Sequence, residues 1–410
     1  MAQGYLLPGC FNPGRDESVN SISRSLLVAL ALLSAVGPFG IDMYLPGLPT
    51  LQEDLGTTPA MAQLTITGFM LGMAVGNLLF GALSDSTGRK RPIMIASVCF
   101  FAASVLCAIA PSIELLVAAR VIQGLAGGSM MVVARAVVPD IARGREAARM
   151  FSALMAITGF VPAIAPVIGG VLLPAVGWRG IFWALVVLNA VQTLVAFRVV
   201  PETLPPQMRS SRALRGLFPR IARCLARPAF VGYMLASGLG FGALFSYISG
   251  SPLVMQRQLG VSPTAFAVIF GSMAMLIPLS NAMNMRVVTR TDPRRALITA
   301  LLIDALAGAL LVPQALSNPT LVLVVPTLAV LSLMAGFIMA NATALGVDSV
   351  RDIGAGAGSG AMGFFQYVVA GAIPPLVALG TNPMLAMGIS IIACSGIALV
   401  ALATLTRRTE

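Results

Sequence analysis

Ile41-Asp42-Met43-Tyr44-Leu45-Pro46 closes the first long apolar run of the chain, which begins near Ile22. A carboxylic acid stands there three residues before the outer end of a stretch otherwise built to sit in hydrocarbon. Placing its charge at that depth costs on the order of 3 kcal/mol, so such an acid marks a functional site unless it simply reaches interfacial water. Asp42 is therefore the residue around which the rest of the chain is read.

Composition supports the membrane reading. Hydrophobic residues make up 57% of the chain and charged residues 10%, against about 25% charged in a soluble protein. Mean hydropathy is +0.91. These values exclude a large soluble domain, and the apolar runs are too long for an outer-membrane barrel, whose strands need only about 10 alternating residues. Residues 1–20 are polar, and the run that follows exceeds the roughly 7–15 residues of a signal peptide, so it is expected to remain as the first span.

Spans of membrane length read at 23–45, 61–83, 93–111, 115–137, 148–174 and 178–200, then at 229–249, 264–285, 296–315, 320–341, 358–379 and 384–405. The expected fold is an all-α integral membrane protein of twelve transmembrane helices in two six-helix bundles. The first bundle is 1–200, a cytoplasmic linker is 201–228, and the second bundle is 229–410. If the N-terminus is cytoplasmic, 22 of the 26 Lys and Arg residues fall in cytoplasmic segments. Only Arg179 and Arg257 fall outside, while Arg120 and Arg135 lie within spans. That asymmetry is the positive-inside signature and predicts both termini in the cytoplasm. It also accounts for the net charge of +11 through topology and contact with anionic membrane lipid, so nucleic acid is not an expected partner.

Histidine is absent and the five cysteines are scattered. No metal site or imidazole proton relay is expected, and proton chemistry falls to carboxylates. Asp42 is one candidate. Asp304, about nine residues into the ninth span, is another, as either a second titrating group or a packed, protonated acid. Arg120, about 9–12 Å down the fourth span at 1.5 Å per residue, lies at a depth comparable to Asp42 and is its expected partner.

The motifs sharpen this. Gly81-Ala82-Leu83-Ser84-Asp85-Ser86-Thr87-Gly88-Arg89-Lys90 resembles the loop 2–3 signature of the major facilitator superfamily. The ending Asp42-Met43-Tyr44-Leu45-Pro46 resembles the twelve-helix drug:proton antiporters of the bicyclomycin and chloramphenicol resistance (Bcr/CflA) type. Arg120-Val121-Ile122-Gln123-Gly124 is similar to the family's fourth-helix motif. Pro162-Ala163-Ile164-Ala165-Pro166-Val167-Ile168-Gly169-Gly170 resembles its antiporter motif, with Ala165 where the first glycine of that motif is expected.

The resemblance implies a non-enzymatic carrier, without cofactor, that exports small and mostly apolar drugs against a proton gradient across the bacterial inner membrane. It assigns gating to Gly81, Asp85, Gly88 and Arg89, and helix packing and bending to Pro162, Pro166, Gly169 and Gly170. Tyr44, Asn77, Gln123, Asn341 and Gln366 are the expected polar groups of the substrate cavity, though Asn341 and Gln366 serve equally well as bonds between helices. Asp42 would alternate between protonated and ionised forms, burial opposing its charge and Arg120 favouring it. A carrier for a metabolite such as an amino acid or sugar is the alternative, and a monomer is expected.

Overall fold

A computed structural model describes residues 24–210, 213–317 and 319–406. The polar N-terminal stretch and Cys10 lie outside these residues. The described chain is helical: α1 (Arg24–Asp42), a short α2 (Leu48–Asp54), α3 (Pro59–Thr87), α4 (Lys90–Ile109), α5 (Ile113–Ile141) and α6 (Gly144–Val199) precede the linker. Next come α7 (Ala213–Leu225), α8 (Pro228–Pro252), α9 (Pro263–Ala274), α10 (Leu276–Val287), α11 (Pro293–Leu316), α12 (Leu321–Asp348), α13 (Ala355–Val377) and α14 (Pro383–Leu405). Among the described residues, eleven continuous helical stretches are long and apolar enough to cross a membrane. One of them, α6, holds two crossings, because Gly177 breaks its helical path with φ 68°. That break falls immediately before Trp178, where the sixth span is expected.

Local chemistry explains the boundaries. Thr58, Ser112 and Ser262 each accept a backbone N–H from the first turn of the helix they precede, which satisfies one of the donors a helix start leaves open. The first helix ends at Asp42. Leu45–Gly47 then tightens into a 3₁₀ turn before Pro49 helps open α2. The eighth span is divided at Met275, where Pro278 has no N–H to return to Ala274. The glycine-rich run 354–360 leads into α13, which begins at Ala355, and Ala357 and Gly358 are already buried, the latter against Val350. Part of the polar linker folds as α7, which packs on both α3 and α13.

Helices α1 and α3–α6 pack among themselves, as do α8 and α11–α14, while α3 meets α13 and α6 meets α9 across the two sets. The loops rich in arginine share one end of the molecule, here the basic end; α2 lies at the other, the far end. Hydrogen bonds between the two sets gather toward the far end. Gln63 donates to the Ser249 carbonyl at 2.8 Å, Thr67 to Gly371 at 2.7 Å, Thr264 to Gly170 at 3.1 Å and Gln256 to Pro46 at 3.2 Å. Arg257 adds an ion pair to Glu53 at 3.2 Å. The far end is thus bolted shut.

Candidate functional site: the acid at the end of the first helix

Asp42 is the last residue of α1 and is 6% exposed. Its neighbours come from three helices. Gly169 of α6 lies so close to the adjacent Met43 carbonyl that a Cβ there would sit 1.8 Å from the oxygen. Only glycine permits this approach. Tyr247 of α8, in the other set, lies within the electrostatic reach of Asp42. Its ring stacks on Phe270 at 5.4 Å and its hydroxyl meets Met273 Sδ at 3.3 Å. None of the described ion pairs includes Asp42.

The expected pair of Asp42 with Arg120 is therefore corrected. Arg120 is fully buried, but it turns to a different face of α1. Its Nη1 donates to the Gly40 carbonyl at 2.8 Å and to Gln123 Oε1 at 2.5 Å, and its Nε to the Thr65 carbonyl at 3.3 Å. Phe69 and Tyr44 cover the guanidinium, with ring centroids 4.2 and 4.6 Å away. Arg120 reaches the end of α1, but two residues along a helix are about 200° of rotation, and the group bound to Gly40 forms no ion pair with Asp42. Carbonyls and aromatic faces replace the counter-ion.

Gln123 and Tyr44 are corrected with it. Gln123 is fully buried, and its amide donates to Ser104 at 2.8 Å while its oxygen serves Arg120. Tyr44 is fully buried and shares a 2.9 Å hydrogen bond with Thr65. Both hold Arg120 in place rather than line a cavity.

At the basic end, Arg89 is 5% exposed and gathers three elements. Its Nη1 donates to Asp85 and to Ser84, each at 2.6 Å, and its Nε to Asp140 at the end of α5 at 2.8 Å. Thr203 donates to the same Asp140 at 3.0 Å. Gly88, at φ 94°, turns the chain so that the Arg89 N–H reaches Glu202 at 2.8 Å. Burial opposes the Glu202 charge, yet the N–H groups of Arg89, Leu204 and Lys90, together with Arg209, hold its carboxyl below the usual glutamate range. The Asp85 carbonyl also accepts from the backbone N–H of Ser210 in the linker at 2.9 Å. Gly81 faces Val132 of α5 in ordinary contact. The motif thus clasps the ends of the first helix set to the linker.

The antiporter-like segment sits between the two sites. Pro162 and Pro166 lie inside α6, and Ala165 is fully buried. Gly169 admits the Met43 carbonyl, while Gly170 faces α9, where a Cβ would fall 2.4 Å from Ala267.

The chain matches the Major Facilitator Superfamily over residues 30–375. It belongs to that superfamily. Among its relatives, the uncharacterized MFS-type transporter YdgK of Bacillus subtilis is 31% identical over 87% of this chain and 89% of its own. Multidrug resistance protein MdtL of Klebsiella pneumoniae is 29% identical, covering 84% and 86%. A bicyclomycin resistance protein homolog of Haemophilus influenzae is 28% identical, covering 71% and 73%. A bacterial homolog of the human lysosomal transporter Spinster, solved inward-facing and unoccupied, superposes with a TM-score of 0.74 over 95% of this chain and 98% of that one, at 14% identity. The shared fold is the major facilitator fold, and the protein is a multi-pass membrane transporter, not an enzyme.

Within that transporter the remaining polar residues divide. Asp304 is 3% exposed on α11 and accepts from Ser395 of α14 at 2.7 Å, both inside the second helix set. Asn341 takes the second of its two expected roles, bonding between helices: its amide donates to Asn284 of α10 at 2.8 Å and to the Phe337 carbonyl at 2.9 Å. Gln366 is half-buried and donates to Ser237 at 2.5 Å. Asn77 is half-buried and faces Gly363 across the two sets. Sequence reasoning missed Gln63, Thr67 and Arg257, which join the sets. A Gln in an apolar run was the available signal; the contacts of Thr67 and Arg257 had none.

Proposed function

We propose that this transporter is a drug:proton antiporter of the bacterial inner membrane, with both termini and the basic end in the cytoplasm. Its substrates are small drugs taken from the cytoplasm. The observation that carries this reading is Asp42, an acid without an ion-pair partner at the junction of α1, α6 and α8. Relatives named for multidrug and bicyclomycin resistance support the drug class.

The physical argument is one of linkage. An unpaired buried charge is costly, and taking a proton removes that cost. Asp42 stands where the two helix sets meet, so a change in their relative position changes its surroundings and its hold on a proton. A drug that binds between the sets favours the arrangement in which Asp42 gives the proton up, and a proton favours the one that releases the drug. Gly169 couples the events mechanically, because α6 cannot shift against α1 without moving the Met43 carbonyl beside Asp42. Arg120 stiffens the end of α1 through Gly40.

The test is drug-induced proton movement in everted membrane vesicles. Wild type is expected to discharge an imposed proton gradient when drug is added, and Asp42→Asn to leave it intact. Equal responses from both proteins would remove Asp42 as the coupling acid, and silence across a broad drug panel would favour a metabolite carrier.

A further inference from the structure

Arg135 lies on α5, six residues before its end at Ile141 and so about 9 Å inside the helix from the basic end. It is half-buried, and its Nε is enclosed with no hydrogen-bond partner. None of the ion pairs among the described residues includes it. Asp140, five residues on, is engaged with Arg89 and Thr203, and Asp85 of α3 with Arg89.

Arg135 lies on the face of α5 that meets the other helix set, and Tyr367 of α13 is within its electrostatic reach. One turn away on the same face of α5, Met131 brings its Sδ 4.0 Å from the Tyr367 hydroxyl. Phe241 of α8 presents an edge-on ring to Tyr367 at 6.0 Å. A lone guanidinium, a phenol, a thioether and an aromatic ring thus converge between the sets. An arginine in a membrane span without a counter-ion marks a pathway for something that carries one.

Resting on the reading that substrate passes between the two sets, we propose that Arg135 is a substrate-binding residue that receives an anionic group, so that the protein's ligands include aromatic organic anions. The planar fork of the guanidinium takes a carboxylate through two parallel hydrogen bonds. Tyr367, Phe241 and Met131 accept the aromatic body. Arg120 does not compete for this role: its Nη2 also lacks a hydrogen-bond partner, but the residue is fully buried, with carbonyls, Gln123 and rings closing around the guanidinium.

The experiment is calorimetric titration of the purified full-length protein with a matched pair, naphthalene-2-carboxylate and naphthalene-2-carboxamide. Wild type is expected to bind the carboxylate at least about tenfold more tightly, as a charge-assisted bond implies. Arg135→Gln should erase that preference and leave amide affinity unchanged, which also shows that the variant is folded. Arg135→Lys should keep part of it. The proposal is overturned if wild type does not prefer the carboxylate, including the case where neither binds, or if Arg135→Gln weakens both ligands alike. Equilibrium binding needs no proton gradient, so failure of the vesicle test leaves this result readable.

Discussion

Asp42 and Asp304 are both acids enclosed in apolar helices, 6% and 3% exposed, yet their surroundings differ in kind. Asp304 is enclosed by one helix set and holds a hydroxyl donor, Ser395, at 2.7 Å. Asp42 stands where the two sets meet, within the electrostatic reach of Tyr247 of the other set and outside every described ion pair. A rigid set does not alter the surroundings of an acid sealed inside it. A boundary between two moving bodies does. Burial alone therefore does not distinguish a coupling acid from a packing acid; the number of moving parts around it does.

The sharpest test of this contrast is the pair Asp42→Asn and Asp304→Asn in the same vesicles. The first is expected to abolish drug-linked proton movement. The second should leave it within experimental error of wild type, since an amide oxygen still accepts from Ser395 and the stability change stays within about 1 kcal/mol. Loss of coupling in Asp304→Asn would break the comparison.

Gly169→Val tests whether α6 must stay against the Met43 carbonyl. Forcing a side chain into that gap is expected to cost about 1–3 kcal/mol or more and to lower both thermal stability and transport. Gly159→Ala, ten residues earlier on the same helix with nothing near its Cβ position, should be neutral in both.

The smallest effect is expected far from Asp42, at Glu202. Its carboxyl sits below the usual glutamate range when folded, so it stabilises the clasp around Arg89 at neutral pH. That contribution is lost as pH falls through its folded value, beneath the ordinary glutamate range. Melting temperature followed downward from pH 5 should drop more steeply in wild type than in Glu202→Gln, which lacks the titrating group.

Much of the fold was legible along the chain. Runs of apolar residues of bilayer length define crossings wherever they occur, because hydrocarbon tolerates no other pattern. The sixth crossing was read from Trp178 onward, and the helix breaks at the glycine before it. Gly81, Asp85, Gly88 and Arg89 were legible as one motif from their spacing, and the structure closes Arg89 on Asp85. The partners of Arg120 were not legible, since equal depth says nothing about which face of a helix a side chain meets. Gln123 and Tyr44 were not legible, and Asn341 stayed open between two roles, for the same reason: a polar residue in an apolar helix bonds inward to a neighbour or faces an open path, and both satisfy the same residue type.

By itself, the sequence determined that this is a many-crossing membrane transporter of the major facilitator superfamily with an acid at the end of its first helix. Span length, motif spacing and composition are properties of the chain read in one dimension. Only the tertiary structure decided that Arg120 binds Gly40, Thr65 and Gln123 while Asp42 and Arg135 stand outside every described ion pair. Those outcomes depend on helix rotation and on which helices become neighbours, and packing of the whole molecule sets both.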